Sequence, residues 1–224
     1  MQANYVQRLR LIFSKAGPAR FIGHLDLSRT LERSFNRAHI PIAYTQGFNR
    51  RPRMSLAAAL PLGFTSESEL ADIWLAEEVD PATLQRAMMR KMAPGILVSL
   101  IESVPLSDPS LQSIVTSATY VAFLPDDSNR VMLQDNIDQI LAAKSLPRQK
   151  KRGKGKIRNY DLRPLIIDLG LDKKNGDQVA VRMELCLGPS KSGRPDDVLA
   201  ALAIDSLGTL IHRTRIKLSE PASR

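Results

Sequence analysis

The spacing of the apolar residues changes from two to four and back to two, and this change occurs twice along the chain. Residues 5–14 alternate between apolar and polar, which predicts a strand with one strongly buried face. From residue 26 to residue 38 the apolar residues recur every four positions, which predicts an amphipathic helix. Strand-like segments at 39–44, 54–60 and 68–77, a helix from Pro81 and a strand at 96–104 follow. The first half therefore has roughly the pattern β-α-β-β-α-β, with one additional short strand-like segment after the first helix.

The second half repeats this order of elements. The predicted elements are a strand at 114–124, a helix at 128–143, strands within 161–171 and 178–188, a helix at 195–204 and a strand at 210–218. The two middle strands are joined by a segment whose Asn175-Gly176 suits a tight hairpin turn. We predict the α+β class, with two tandem ferredoxin-like (split βαβ) modules covering residues 1–107 and 108–224.

The positive charge of the chain is concentrated in one segment. The net charge is +9, and residues 147–158 hold seven basic residues and no acid, so the rest of the chain is only +2. Because Lys and Arg neutralise phosphates, such a segment points to a polyanionic partner. We predict a mobile loop that grips a phosphate backbone, and a solubilising insert is the alternative. Its basic residues are Arg148, Lys150, Lys151, Arg152, Lys154, Lys156 and Arg158.

The first half carries further cations at regular spacing. Arg29, Arg33 and Arg37 recur every four residues, two positions out of step with the apolar stripe, so they project away from the core. This pattern also fits an ordinary solvated helix face. The loop at 46–53 adds three arginines, a Phe for stacking on bases and an Asn for base edges. The predicted RNA-binding residues of this half are Arg8, Arg10, His24, Arg29, Arg33, Arg37, Phe48, Asn49, Arg50, Arg51 and Arg53.

One histidine beside an aspartate raises the question of catalysis. Side chains two positions apart do not face each other on a helix, so His24 and Asp26 need a loop to form a dyad. Asp26 suits the N-cap or the first turn of a helix, where a carboxylate is favourable. His24 has three open roles: structural, phosphate-orienting or general base. We predict that the protein has no catalytic residue, no metal site and no cofactor. His24 is the one weak candidate for a catalytic role.

The chain has no feature of an exported or membrane protein. No apolar run reaches the ~18 residues of a membrane helix, and the N-terminal residues lack the apolar core of a signal peptide. Cys186 is the single cysteine, which excludes an intrachain disulfide and a thiolate metal cluster built by this chain alone. We predict a cytoplasmic protein that does not bind membranes.

Five short stretches between Arg20 and Leu70 resemble a bacterial family of unknown function, the DUF2344 type. The stretches are FIGHLDLSR, YTQGFN, RPRMSLAA, LPLG and SESEL. Members of this family are encoded beside, or fused behind, radical SAM proteins of the cobalamin-binding type. The resemblance implies an accessory role near a radical enzyme, in RNA modification. The chain departs from the family at Arg50, where Pro usually follows GFN, and the departure adds positive charge.

These features together predict a non-catalytic, RNA-binding accessory protein. It would present structured RNA, either tRNA or rRNA, to a modifying enzyme, and the resemblance implies a radical SAM partner. Two other functions remain open at this point. One is a protein-interaction module that docks a radical SAM enzyme without RNA, and the other is a metal-independent endoribonuclease that uses His24.

Overall fold

The computed structural model describes residues 5–125, 128–151, 157–172 and 178–219. It has the mixed α+β architecture that the sequence predicts. The strands are β1 (Gln7–Lys15), β2 (Met54–Leu56), β3 (Thr65–Leu75), β4 (Ile96–Val104), β5 (Val115–Phe123), β6 (Pro147–Lys151), β7 (Ile157–Asp161), β8 (Ile166–Leu171), β9 (Ala180–Cys186) and β10 (Leu210–Leu218). The helices are α1 (His24–Arg37), α2 (Pro81–Met89), α3 (Leu111–Ile114), α4 (Arg130–Ala142) and α5 (Pro195–Ala201), with short 3₁₀ helices at Gly17–Phe21 and Arg163–Leu165. In the described part of the chain, none of the helices has the length and apolarity needed to span a membrane.

Among the described residues, the first of two compact units runs to Val115 and also includes Leu218 and Ser219. Its strands lie in the order β4-β1-β3, with β2 paired to β3, and each of these pairs is antiparallel. The alternation of β1 and the four-residue spacing of α1 place their apolar side chains in a shared core with α2. The fully buried members of this core include Leu9, Leu11, Phe13, Leu31, Phe35, Leu84 and Met88.

The second unit, Thr116–Lys217, repeats the order of elements and adds a hairpin. Its strands lie in the order β10-β5-β9-β8, and β9 is antiparallel to both of its neighbours. The hairpin β6–β7, which follows α4 and precedes β8 in sequence, forms a separate two-stranded sheet.

The first unit extends past the predicted boundary at residue 107 because side chains hold the following segment. Arg8 donates to the carbonyl oxygens of Asp108 and Pro109, at 2.8 Å each. Gln112 donates to the carbonyl oxygen of Leu56 at 3.1 Å.

The polar face of β1 is buried, which corrects the prediction that Arg8 and Arg10 bind RNA. The two arginines are 2% and 8% exposed, and both donate to the fully buried carboxylate of Asp72. The distances are 2.5 Å from Arg8 Nη2 to Oδ2 and 2.8 Å from Arg10 Nε to Oδ1. The register of β1 and β3 sets Arg10 directly opposite Asp72. These guanidinium groups stabilise the sheet and do not present charge to a partner.

Residues 39–44 do not form the predicted strand. They make two isolated bridges instead, from Ile42 to Leu75 and from Tyr44 to Pro52. Pro41 has no backbone N–H to donate, so a continuous ladder is interrupted at that position. The segment leads directly from α1 into the loop that carries Phe48.

Candidate nucleic-acid interface

Helix α1 presents arginines on the side opposite its core face. Arg29, Arg33 and Arg37 are all exposed, as their spacing predicts. Arg29 lies 3.4 Å from the Asp26 carboxylate, but both side chains are more than 60% exposed, so water screens the pair. Arg37 donates to the carbonyl oxygen of Lys91 at 2.6 Å, which fixes the last turn of the helix.

A seven-residue loop, Thr45–Arg51, is closed at its base by two hydrogen bonds. The N–H of Thr45 donates to the carbonyl oxygen of Arg51 at 2.8 Å. The N–H of Arg51 donates to the Thr45 hydroxyl at 3.1 Å. Gly47 has a φ of +130°, which suits glycine because it has no Cβ. The closed loop holds Phe48 fully exposed at its tip.

The loop is tied to the arginine side of α1. The hydroxyl of Tyr44, which precedes the loop, donates to Asn36 Oδ1 at 3.3 Å. Asn36 follows Arg33 by three residues, so the two share a face of the helix. This contact joins the base of the loop to the arginine face of the helix, and we name the exposed side chains of the two elements the arginine–Phe48 surface. Its members are Arg29, Arg33, Arg37, Phe48, Asn49, Arg50 and Arg51.

Sequence reasoning did not identify Asn36 as the residue that joins the helix to the loop. Its position three residues after Arg33 could have placed it on the arginine face of α1. The contact from Tyr44 carried no such signal, since it joins two elements across a turn. Arg53, which was also predicted to bind RNA, packs against aromatic rings and is not a member of the arginine–Phe48 surface. Its guanidinium lies 4.3 Å from the ring centroid of Tyr5 and 5.1 Å from that of Trp74, in a half-buried position.

His24 lies at the first position of α1, after Gly23 at the N-cap. Its Nδ1 atom is buried and makes no hydrogen bond to the described residues. Asp26 lies in the first turn, not at the N-cap, and its carboxylate pairs with Arg29. The described residues therefore show no His–Asp dyad and no carboxylate that orients the imidazole.

The basic segment is a hairpin in its described part, which corrects the prediction of a loop. Strand β6 pairs with β7 from Pro147–Asp161 to Lys151–Ile157, and the register sets Lys150 opposite Arg158. Arg148 is half-buried, and its guanidinium donates to the carbonyl oxygen of Pro147. The predicted binding residues Arg152, Lys154 and Lys156 lie outside the described residues.

Two side chains fix the base of this hairpin. Asp161 Oδ1 accepts from the N–H groups of Leu146 at 2.7 Å and Arg163 at 3.0 Å. The hydrogen bond from Leu146 holds the pKa of the Asp161 carboxyl below its usual value. Tyr160 donates to Asp197 Oδ2 at 2.5 Å, and burial, followed by this hydrogen bond, raises the pKa of the Tyr160 hydroxyl. The hairpin is thus anchored to α5 and to the 3₁₀ helix that follows it.

The chain belongs to a bacterial family. The family model described as "Uncharacterized protein conserved in bacteria (DUF2344)" matches residues 8–195. One chain of a crystal structure of a Cbf5-Nop10-Gar1 complex is similar, with a TM-score of 0.49 and 11% sequence identity over 95% of this chain. The present chain spans half the length of that one. No curated protein matches the sequence.

Proposed function

We propose that this protein is a non-catalytic RNA-binding accessory protein that presents structured RNA, tRNA or rRNA, to a modifying enzyme. The arginine–Phe48 surface is the observation that carries the proposal. It combines an exposed aromatic ring with a set of exposed guanidinium groups on one unit of the fold. Unpaired nucleotides are bound by this combination of aromatic stacking and phosphate contacts.

The aromatic part of the proposal depends on Phe48. A phenylalanine side chain that is fully exposed gains no burial energy in the free protein. The hydrogen bonds at Thr45 and Arg51 limit the freedom of the loop, so less entropy is lost when a base stacks on the ring. Asn49, the next residue, is exposed and offers an amide to a base edge.

The electrostatic part depends on arginines that have no acidic partner. Arg33, Arg50 and Arg51 are exposed, and none of them pairs with a carboxylate among the described residues. A guanidinium can donate two parallel hydrogen bonds to one phosphate, which favours Arg over Lys at such contacts. The basic hairpin supplies a second group of cations, which attract and position an RNA without reading its sequence.

The proposal also covers the fold of each unit and the class of enzyme that receives the RNA. The β-α-β-β-α-β order in both units supports two tandem ferredoxin-like modules. The resemblance to proteins encoded beside radical SAM enzymes supports an enzyme of that class as the recipient of the RNA. A non-catalytic role is favoured over an endoribonuclease because His24 lacks an orienting partner in the described structure.

Filter binding of the purified protein to tRNA and to rRNA hairpins tests the proposal. We expect retention at low salt, and Phe48→Ala should weaken the affinity roughly 5- to 150-fold, the value of one base–aromatic stack. Leu207→Ala removes another exposed apolar side chain, in the second unit, and should leave the affinity unchanged.

Absence of RNA retention by the wild-type protein at low salt would reject the proposal. Equal affinities of Phe48→Ala and Leu207→Ala would exclude the stacking role. Incubation of the same RNAs with the protein in EDTA should leave them intact. Cleavage that disappears in His24→Ala would instead support the endoribonuclease.

A further inference from the structure

Three large apolar side chains are exposed on adjoining segments of the first unit. Phe21, Leu25 and Leu62 are 64%, 72% and 64% exposed. The N–H of Gly63 donates to the carbonyl oxygen of Arg20 at 2.9 Å, which joins the turn that carries Leu62 to the segment that carries Phe21. Exposed apolar side chains grouped in this way mark interaction surfaces, unlike single ones. We name the three residues the Phe21 patch.

The patch contains a cation without an acidic partner. The Arg20 guanidinium carbon lies 4.7 Å from the ring centroid of Phe21. The Nε atom of Arg20 is buried, and no guanidinium nitrogen of this residue donates to an acceptor among the described residues. Residues 16–25 and 57–64 contain no Asp or Glu, and Asp26, the residue after Leu25, is paired with Arg29. The patch therefore offers hydrogen-bond donors and positive charge, and the nearest carboxylate in sequence already has a cationic partner.

We propose that the Phe21 patch is a docking site for an acidic amphipathic segment of another protein. Apolar side chains of that segment cover Phe21, Leu25 and Leu62, and one of its carboxylates accepts hydrogen bonds from Arg20. The combination of exposed apolar groups, an aromatic ring and an arginine is typical of protein interfaces. Two of the three apolar residues are leucines, which do not stack on bases, so the patch fits a protein better than RNA. Leu25 lies four residues before Arg29 on α1, so the patch adjoins the arginine–Phe48 surface, but its proposed partner is a protein and the proposal does not depend on RNA binding.

A combinatorial peptide library displayed on phage tests the proposal with the full-length protein as the target. We expect the wild-type protein to select peptides with apolar residues at helical spacing and at least one Asp or Glu. The affinity of a selected peptide, measured by fluorescence anisotropy, should fall about tenfold or more with Leu25→Ser, because one anchoring side chain is lost. Val131→Ser is the matched control, since Val131 is also 72% exposed and lies in the second unit.

The role of Arg20 has its own readout. Replacing the Asp or Glu of the peptide by Asn or Gln should weaken its binding to the wild-type protein. The same replacement should have little further effect on binding to the Arg20→Gln variant, which is the coupling expected of a direct pair. Selection of no peptide that distinguishes the wild-type protein from Leu25→Ser would overturn the proposal. Weaker tRNA binding by Leu25→Ser would assign the patch to RNA instead. A dimer of the wild-type protein in sedimentation that Leu25→Ser abolishes would assign it to a second copy of the chain, and either result contradicts the proposal.

Discussion

Asp72→Asn should lower the free energy of unfolding by about 3–5 kcal/mol, the effect of removing one partner from a buried ion cluster. The substitution keeps the size of the side chain but removes its charge. The guanidinium groups of Arg8 and Arg10 then stay buried without the carboxylate that now accepts four hydrogen bonds from them. Because a domain of ordinary stability has about 5–15 kcal/mol in total, much of the stability would be lost. Urea denaturation followed by circular dichroism measures the change.

Asp168→Asn is the control for this effect. It breaks an ion pair of similar length, 2.7 Å to Arg182, in which both side chains are 44% exposed. Exposed pairs contribute at most about 1 kcal/mol, so the midpoint of denaturation should move little. Equal losses from the two substitutions would contradict the structural role given to Asp72, Arg8 and Arg10.

The triple variant Arg33→Gln, Arg50→Gln and Arg51→Gln should bind RNA roughly 100- to 500-fold more weakly at 0.1 M salt. Each phosphate contact contributes about 0.7 to 0.9 to the slope of log K against log salt concentration. Three lost contacts should therefore reduce the slope by about 2 to 3. Filter binding to tRNA over a series of salt concentrations measures both quantities. The loss should be similar for RNAs of different sequence, since these contacts are to the backbone.

A second triple variant, with the same net charge as the first, shows whether the loss of RNA affinity depends on the position of the cations or on the total charge of the protein. Lys144, Lys191 and Arg215 are exposed and lie in the second unit. Changing these three to Gln should alter the affinity by much less than the arginine variant does. Equal losses would mean that RNA binding depends on net charge alone, and the arginine–Phe48 surface would have no specific role.

Elements with a clear period were predictable from the sequence. Strands β4 and β10 have the predicted bounds, 96–104 and 210–218, and for β10 the alternation of the sequence indicates the type of the element. The outward direction of the α1 arginines followed from the four-residue spacing in the same way. The fully exposed position of Phe48 did not follow, because it depends on hydrogen bonds that close the loop and leave no sequence pattern.

The predictions that the structure corrects concern contacts between residues that are distant in sequence. Arg8 and Arg10 both donate to Asp72, about 60 residues away, across β1 and β3. Alternation alone shows that they face away from the leucines, but it cannot show that a buried carboxylate on the neighbouring strand accepts hydrogen bonds from them. The basic segment was predicted to be a loop because its side chains are polar. Its strand pairing is anchored by Tyr160 and Asp161, whose partners lie in other elements.

The contact between RNA and the arginine–Phe48 surface can be observed directly by ultraviolet crosslinking of the complex with tRNA, followed by mass spectrometry of the digested protein. The account predicts crosslinked nucleotides on the peptide that contains Phe48, and their loss in the Arg33, Arg50 and Arg51 triple variant. Crosslinks confined to the second unit, with the Phe48 peptide unmodified, would contradict it.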